Sequence, residues 1–318
     1  MELIRGLPNL RQSHRGCCVT IGTFDGIHLG HQALIRTLLE HGRRLGRRTM
    51  MLTFEPMPRE YLAAQRGEDP PARLTSWRER WRALERTGLD YVWQLRFNES
   101  LRQLSGEQFT EIIARDLQAA AVVIGHDFRF GRHGGATASM LVQAGQSLGF
   151  EVTVVPPVLV DGVRVSSSGI REALAAADLA RAARWLGRPY SMIGRVVRGA
   201  GLGRRLGFAT ANLRLGRKRS PLGGIFAVRV HGADSGPRDG VASLGTRPTF
   251  DGTVPLLEAH VFDFSGDLYG REIEVEFVAR LRDELRFDNV DALVEQMHRD
   301  AAQARSILHQ LKGTNALG

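Results

Sequence analysis

The sequence has only two cysteines, Cys17 and Cys18, and they are adjacent. Neighbouring residues close a disulfide only with severe strain, and two thiols cannot complete a four-ligand zinc site, so a disulfide framework and a zinc centre of that kind are excluded. Both are expected to be small buried residues of a strand. No apolar run reaches the roughly 18 residues that a membrane span requires. The stretch Met1 to Gly16 has no apolar core followed by a small-residue cleavage site, so a cytoplasmic protein is the expectation. Internal repeats, low-complexity segments and a long Lys/Arg arm are also missing.

What remains is a globular composition: 318 residues, 43% apolar, 24% charged, with 36 glycines. At about 150 residues per domain that length implies two domains. Lys and Arg total 43 against 34 Asp and Glu, giving +9 and pointing to anionic partners. Nucleic acid, nucleotides and phosphometabolites all satisfy that charge, which alone does not choose among them.

The first half alternates strand and helix signals. Cys17 to Ile21 and Thr49 to Phe54 are short apolar, β-branched runs, and between them Leu34, Ile35, Leu38 and Leu39 recur at helical spacing. Tyr91 to Leu95, Ala121 to Ile124 and Glu151 to Val155 continue the strand series, while Ser76 to Glu79 and Ser105 to Gln108 read as capping boxes. Repeated βα units predict a parallel sheet covered on both faces, which binds ligands beyond the carboxyl ends of its strands. After about Leu186 the pattern changes, with Gly187 to Tyr190 as boundary. Met192 to Val197, Ile225 to Val230, Leu256 to Phe264 and Ile273 to Ala279 then follow without helices between them, predicting an antiparallel sheet or small barrel. From Asn289 onward, Val290, Leu293, Val294, Met297, Ala301, Ile307 and Leu308 predict a closing helix packed on it.

The run Gly22-Thr-Phe-Asp-Gly-Ile-His28-Leu-Gly30-His31 follows the first strand and opens the first helix. Two histidines flanking a glycine there let both imidazoles and the helix N-terminal amides converge on a phosphate, and Gly30 permits close backbone approach. His28-Leu-Gly-His31 resembles the HxGH signature of the nucleotidyltransferase superfamily. The longer string GTFDGIHLGHQ is similar to the FMN adenylyltransferase half of the bacterial bifunctional riboflavin kinase/FAD synthetase family. Gly125 to Gly131 resembles that family's flavin-contacting loop, and Arg164 to Arg171 its second ATP motif. The resemblance implies an α/β nucleotidyltransferase domain, Rossmann-like with a parallel sheet, over residues 1–186. It assigns Gly22, Phe24, Asp25, Gly30, Arg164, Ser167 and Ser168 to ATP, His28, His31 and Arg171 to catalysis, and Asp127 and Phe128 to the flavin. Met57 stands where many relatives carry His or Gln.

In the second half, Gly199 to Asn212 carries four glycines but no GK[ST], so it is not a Walker loop, and its spacing misses the dinucleotide fingerprint. It resembles the riboflavin kinase signature, in which a glycine-rich loop covers ATP and a PTAN segment supplies magnesium ligands. Here that segment reads Ala209-Thr210-Ala211-Asn212, with alanine in place of the usual proline. Glu258, His260 and Phe262 would share one face of a strand, where a carboxylate among apolar residues is a candidate base. The resemblance implies a mainly antiparallel β-barrel with a C-terminal helix over residues 187–318. It places ATP on Gly201, Gly203 and Arg204, Mg²⁺ on Thr210 and Asn212, the catalytic base at Glu258 and the flavin at Arg282 and Phe287. Ser243 stands where relatives usually have Asn. The implied chemistry is ATP-dependent phosphorylation of riboflavin to FMN and adenylylation of FMN to FAD, with ATP as co-substrate and no specific nucleic acid or membrane partner. A nucleotidyltransferase for another phosphate acceptor with a regulatory barrel, and an RNA-binding protein with a degenerate synthetase-like domain, are the alternatives on the residues alone.

Overall fold

The computed structural model describes residues 1–199, 203, 206–249 and 252–315. They form two compact units: Met1–Pro71 with Arg80–Ser166, and Ala72–Glu79 with the chain from Ser167 onward. In the first lie strands β1 (Glu2–Arg5), β2 (Cys18–Ile21), β3 (Thr49–Glu55), β4 (Tyr91–Arg96), β5 (Ala121–Gly125), β6 (Arg129–Phe130), β7 (Ala136–Thr137), β8 (Glu151–Val155), β9 (Leu159–Val160) and β10 (Val163–Arg164). Helices α1 (Leu29–Leu45), α2 (Pro58–Gln65), α4 (Glu99–Gln103), α5 (Gly106–Glu111) and α6 (Ala138–Leu148) connect them, together with α3 (Trp77–Glu85) from Arg80 onward.

The main sheet runs β1-β4-β3-β2-β5-β8 with every neighbouring pair parallel. β2, β3 and β5 are buried along nearly their whole length, as a parallel sheet with both faces covered requires. Cys17 and Cys18 are both buried, and burial pushes the Cys17 thiol up to about 12 and raises Cys18 as well, which leaves both protonated. Both predicted capping boxes form. Ser76 N–H donates to Glu79 Oε2 at 2.6 Å and Glu79 N–H to Ser76 Oγ at 3.3 Å; Ser105 and Gln108 exchange the equivalent pair. Strand order reverses direction between β2 and β5, so the crevice beyond their carboxyl ends is the switch point where such sheets take ligands. The His28 turn leaves β2 there and the Asp127 loop leaves β5.

The second unit holds α7 (Ser167–Ala175), α8 (Leu179–Leu186), strands β11 (Ser191–Val197), β12 (Ala211–Arg214), β13 (Gly224–His231), β14 (Arg238–Thr249), β15 (Gly252–Val261) and β16 (Glu272–Arg282), and helix α9 (Val290–Asn315). The strands close into an antiparallel barrel in the order β11-β12-β15-β14-β13-β16. Along β15, Leu257, Ala259 and Val261 point inward and are buried, while Glu258 and His260 between them are half-buried on the outer face. α9 starts where Asn289 Oδ1 accepts the Ala292 N–H at 2.8 Å, and packs Ala304 and Leu308 with Ala227 and Phe262. Val290, expected on the packed face, is 53% exposed because it sits in the first turn, ahead of the buried contacts. The predicted strand over 256–264 begins earlier and stops at Val261; Phe262 lies beyond its end, buried under α9.

Candidate active sites

The first site grows from the turn between β2 and α1. Phe24 and Ile27 hold φ of +50° and +45°, conformations that cost non-glycine residues about 1–3 kcal/mol each and persist only where packing enforces them. Phe24 and Asp25 are each 1% exposed and Ile27 3%, so burial enforces them here. Gly22 makes room for this turn, since a Cβ there would stand 3.1 Å from Phe24 Cε2.

His28 is the N-cap of α1: its Nδ1 accepts the His31 N–H at 3.3 Å. An accepting Nδ1 has no proton, so the ring proton sits on Nε2. The His28 and His31 rings stack with centroids 3.6 Å apart at 19°. A Cβ on Gly30 would lie 3.1 Å from His28 Cε1, so glycine lets the ring lie against the helix start. Burial first, then the neighbouring His28 and Arg80, hold His31 well below the usual histidine range. It is therefore a neutral hydrogen-bonding ring, and its buried Nδ1 has no partner among the described residues. A buried polar atom with no partner calls for an explanation, and beside a helix N-terminus a hydrogen bond to a phosphate is a fitting one.

Arg80, which the sequence pattern did not single out, is 1% exposed; its guanidinium donates to the Thr23 carbonyl at 2.8 Å and to Glu55 at 3.2 Å. It thus holds the turn that carries the histidines. Its only sequence signal was a basic residue on an amphipathic helix. Met57 is 6% exposed, so the thioether serves the core at that position.

The structure brings Asp127 and Arg164 together: Arg164 donates to Asp127 Oδ2 at 2.6 Å. A residue assigned to the flavin and one assigned to ATP are therefore an exposed ion pair at the carboxyl end of the sheet. Phe128 stacks on Phe130 at 5.4 Å. Ser167, Ser168 and Arg171 lie on α7 in the other compact unit, where Arg171 Nε donates to the Ala72 carbonyl at 2.6 Å.

The second site lies on the outer face of the barrel. Register pairs Asn212 of β12 with Glu258 of β15, and Glu258 with Ser243 of β14, which puts three polar side chains in one lateral row. A Cβ on Gly199 would stand 2.5 Å from Asn212 Nδ2, and one on Gly203 3.3 Å from Thr210 Oγ1. The two glycines thus leave a cradle over the oxygen donors, and the Phe208 N–H closes it by donating to the Gly203 carbonyl at 2.8 Å. Neutral amide and hydroxyl oxygens under such a cradle fit Mg²⁺ shared with nucleotide phosphates, which rarely takes an all-protein cage. No group of three or more His, Cys, Asp or Glu that could hold a metal occurs among the described residues. Gly201 and Arg204 lie outside the described residues.

Arg282 and Phe287 meet, with the guanidinium carbon 5.9 Å from the ring centroid. The same guanidinium is clamped by Asp300 of α9, at 2.9 Å from Nε and 2.6 Å from Nη2. Asp300, 4% exposed, was invisible in sequence because its partner lies on another element.

Two family models match the chain: FAD synthetase over residues 10–169 and riboflavin kinase over 186–308. A bifunctional riboflavin kinase/FMN adenylyltransferase of Escherichia coli K12 is 43% identical over 307 residues, covering 96% of this chain and 97% of that protein. One of the same description from Pseudomonas fluorescens is 44% identical over 309 residues, covering 96% and 98%. A solved structure described as a macrolide-efflux protein of Streptococcus pneumoniae aligns with TM-score 0.78 and 31% identity, covering 94% of this chain and 97% of that one. No helix among the described residues is long and apolar enough to cross a membrane.

Proposed function

The chain belongs to the bifunctional riboflavin kinase/FMN adenylyltransferase family, and from that membership we propose how its residues divide the work. It phosphorylates riboflavin to FMN and adenylylates FMN to FAD, with ATP as co-substrate of both steps. We assign adenylylation to residues 1–186, phosphorylation to residues 187–318, and the whole to the cytoplasm.

In adenylylation an FMN phosphate oxygen forms a bond to the α-phosphorus of ATP while the bond to the bridging oxygen breaks, and pyrophosphate leaves with the electron pair. No protein nucleophile is needed, so catalysis is alignment plus stabilisation of charge on the leaving group. His28 Nε2–H and the neutral ring of His31 donate to phosphate oxygens at the α1 N-terminus, whose amides and dipole favour the same charge. Arg80 holds the turn in place. Ser167, Ser168 and Arg171 are assigned to the ATP phosphates on the resemblance of their motif.

In phosphorylation Glu258 takes the proton of the riboflavin 5′-hydroxyl as that oxygen bonds to the γ-phosphorus, and ADP departs. Thr210 and Asn212 would hold Mg²⁺, which when bound neutralises phosphate charge. Gly199 and Gly203 let the backbone close over the nucleotide. Arg282, fixed by Asp300, and Phe287 frame the flavin.

The observation that carries this reading is the register that sets Asn212 beside Glu258 under the two glycines. Incubation with riboflavin, ATP and Mg²⁺, followed by chromatography of the flavins, tests it: FMN and then FAD should accumulate. Absence of FMN from folded protein overturns the kinase assignment.

A further inference from the structure

Two residues beyond Glu258, on the same outward row of β15, His260 places its Nδ1 2.9 Å from the carbonyl oxygen of Ala209. A carbonyl oxygen only accepts, so Nδ1 carries a proton. The bond reaches across from β15 to the residue immediately before Thr210, and so ties the strand of the base to the segment of the oxygen donors. The preceding Phe208 is 6% exposed and meets two histidine rings edge-on, His260 at 5.2 Å and His298 of α9 at 4.8 Å. Ala209 itself is exposed, and its methyl group fixes neither φ nor any packing. A proline ring would have locked φ near −65° at that point.

We propose that His260 is a positioning residue of the kinase site: its Nδ1–H holds the Ala209 carbonyl and thereby sets the pose of Thr210 and Asn212 toward the divalent cation and the nucleotide. The hydrogen bond restrains from outside a segment that its own alanine leaves loose. This inference rests on the kinase assignment above.

The test uses three full-length His260 variants, with Asn212→Ala as the reference. Asn carries its amide nitrogen where histidine has Nδ1, whereas Gln carries it where histidine has Nε2, so the two amides separate the ring nitrogens. Mg·ADP binding is followed by calorimetry, with Asn212→Ala identifying the barrel step, and hydrogen exchange is read on a peptide covering 206–212. His260→Ala and His260→Gln should weaken that step about tenfold, the scale of one hydrogen bond, and should speed exchange of the peptide. KM for ATP in riboflavin phosphorylation should rise with kcat little changed. His260→Asn should stay within about twofold of the parent. FAD formation from FMN should be unaffected in all three. Retention by Gln but not Asn would assign the function to Nε2 and overturn the proposal. Equal loss in all three would assign it to ring packing on Phe208, and no loss in any would remove the clamp; either overturns it. If Asn212→Ala leaves Mg·ADP binding intact, the metal assignment fails, while exchange of the 206–212 peptide still decides the clamp.

Discussion

The nucleotide turn of the first unit draws its polar groups from one run, Gly22 to His31, whereas the barrel site draws Asn212, Ser243 and Glu258 from three strands. The turn is buried, strained and holds a neutral His31; the barrel row is half-exposed on an outer face. A preorganised, desolvated set of donors stabilises charge without rearranging when the reaction occurs. A row on an outer face acquires that dryness only when a segment closes over it, so its chemistry depends on loop pose as much as on the groups themselves. Loss of a group should therefore be costly in both sites, while displacement of a neighbour should matter in the second above all.

The largest effect should come from Glu258→Gln, which keeps size but removes the base. Riboflavin phosphorylation should fall by about 10² to 10⁴, the range for a general base, while FAD formation from FMN stays at the parent rate. Parallel loss of both activities would erase the separation of the two sites. His28→Ala should do the reverse, lowering FAD formation by about 10² to 10³ and sparing FMN formation, as assayed by chromatography with each flavin supplied in turn. Gly199→Ala tests displacement alone: its methyl overlaps the Asn212 carboxamide, and a shift of about 1 Å should cost up to about 10² in phosphorylation, with adenylylation unchanged. The smallest effect concerns pH. Because the folded pKa of His31 lies below the unfolded value, its contribution to stability is fully present above pH about 6.5 and is lost as pH falls from there toward the folded pKa. Urea titrations should show His31→Gln flattening that acid-side slope by up to about 1.4 kcal/mol per pH unit, one proton's worth. Above pH 7 the two proteins should share the same pH dependence.

Legibility followed the same division. The β2–α1 turn could be read as a phosphate site because strand, glycine, histidines and helix start are contiguous, and short-range geometry dictates how such a run folds. In the barrel, β13 and β16 were visible as apolar runs, but β12 has only four residues and β14 contains Gly240, Gly245 and Pro248, which read as turns. Pairing with β15 on both sides is what makes them strands. β1, another four-residue strand, at a sheet edge, is too short for alternation to stand out. Arg80, Asp300 and His260 escaped because a lone Arg, Asp or His has no local signature; each matters through a partner distant in sequence, at Thr23 and Glu55, Arg282 and Ala209.

The amino-acid sequence by itself determined the βα alternation, the later strand series, the capping boxes and the residue types at both phosphate sites, since these rest on periodicity and on contacts within a few residues. Only the tertiary structure decided the lateral row of Asn212, Glu258 and Ser243, the neutral state of His31 and the tautomer of His260. Strand register, burial and the choice of hydrogen-bond acceptor are set by which distant segments meet, and no local pattern encodes that.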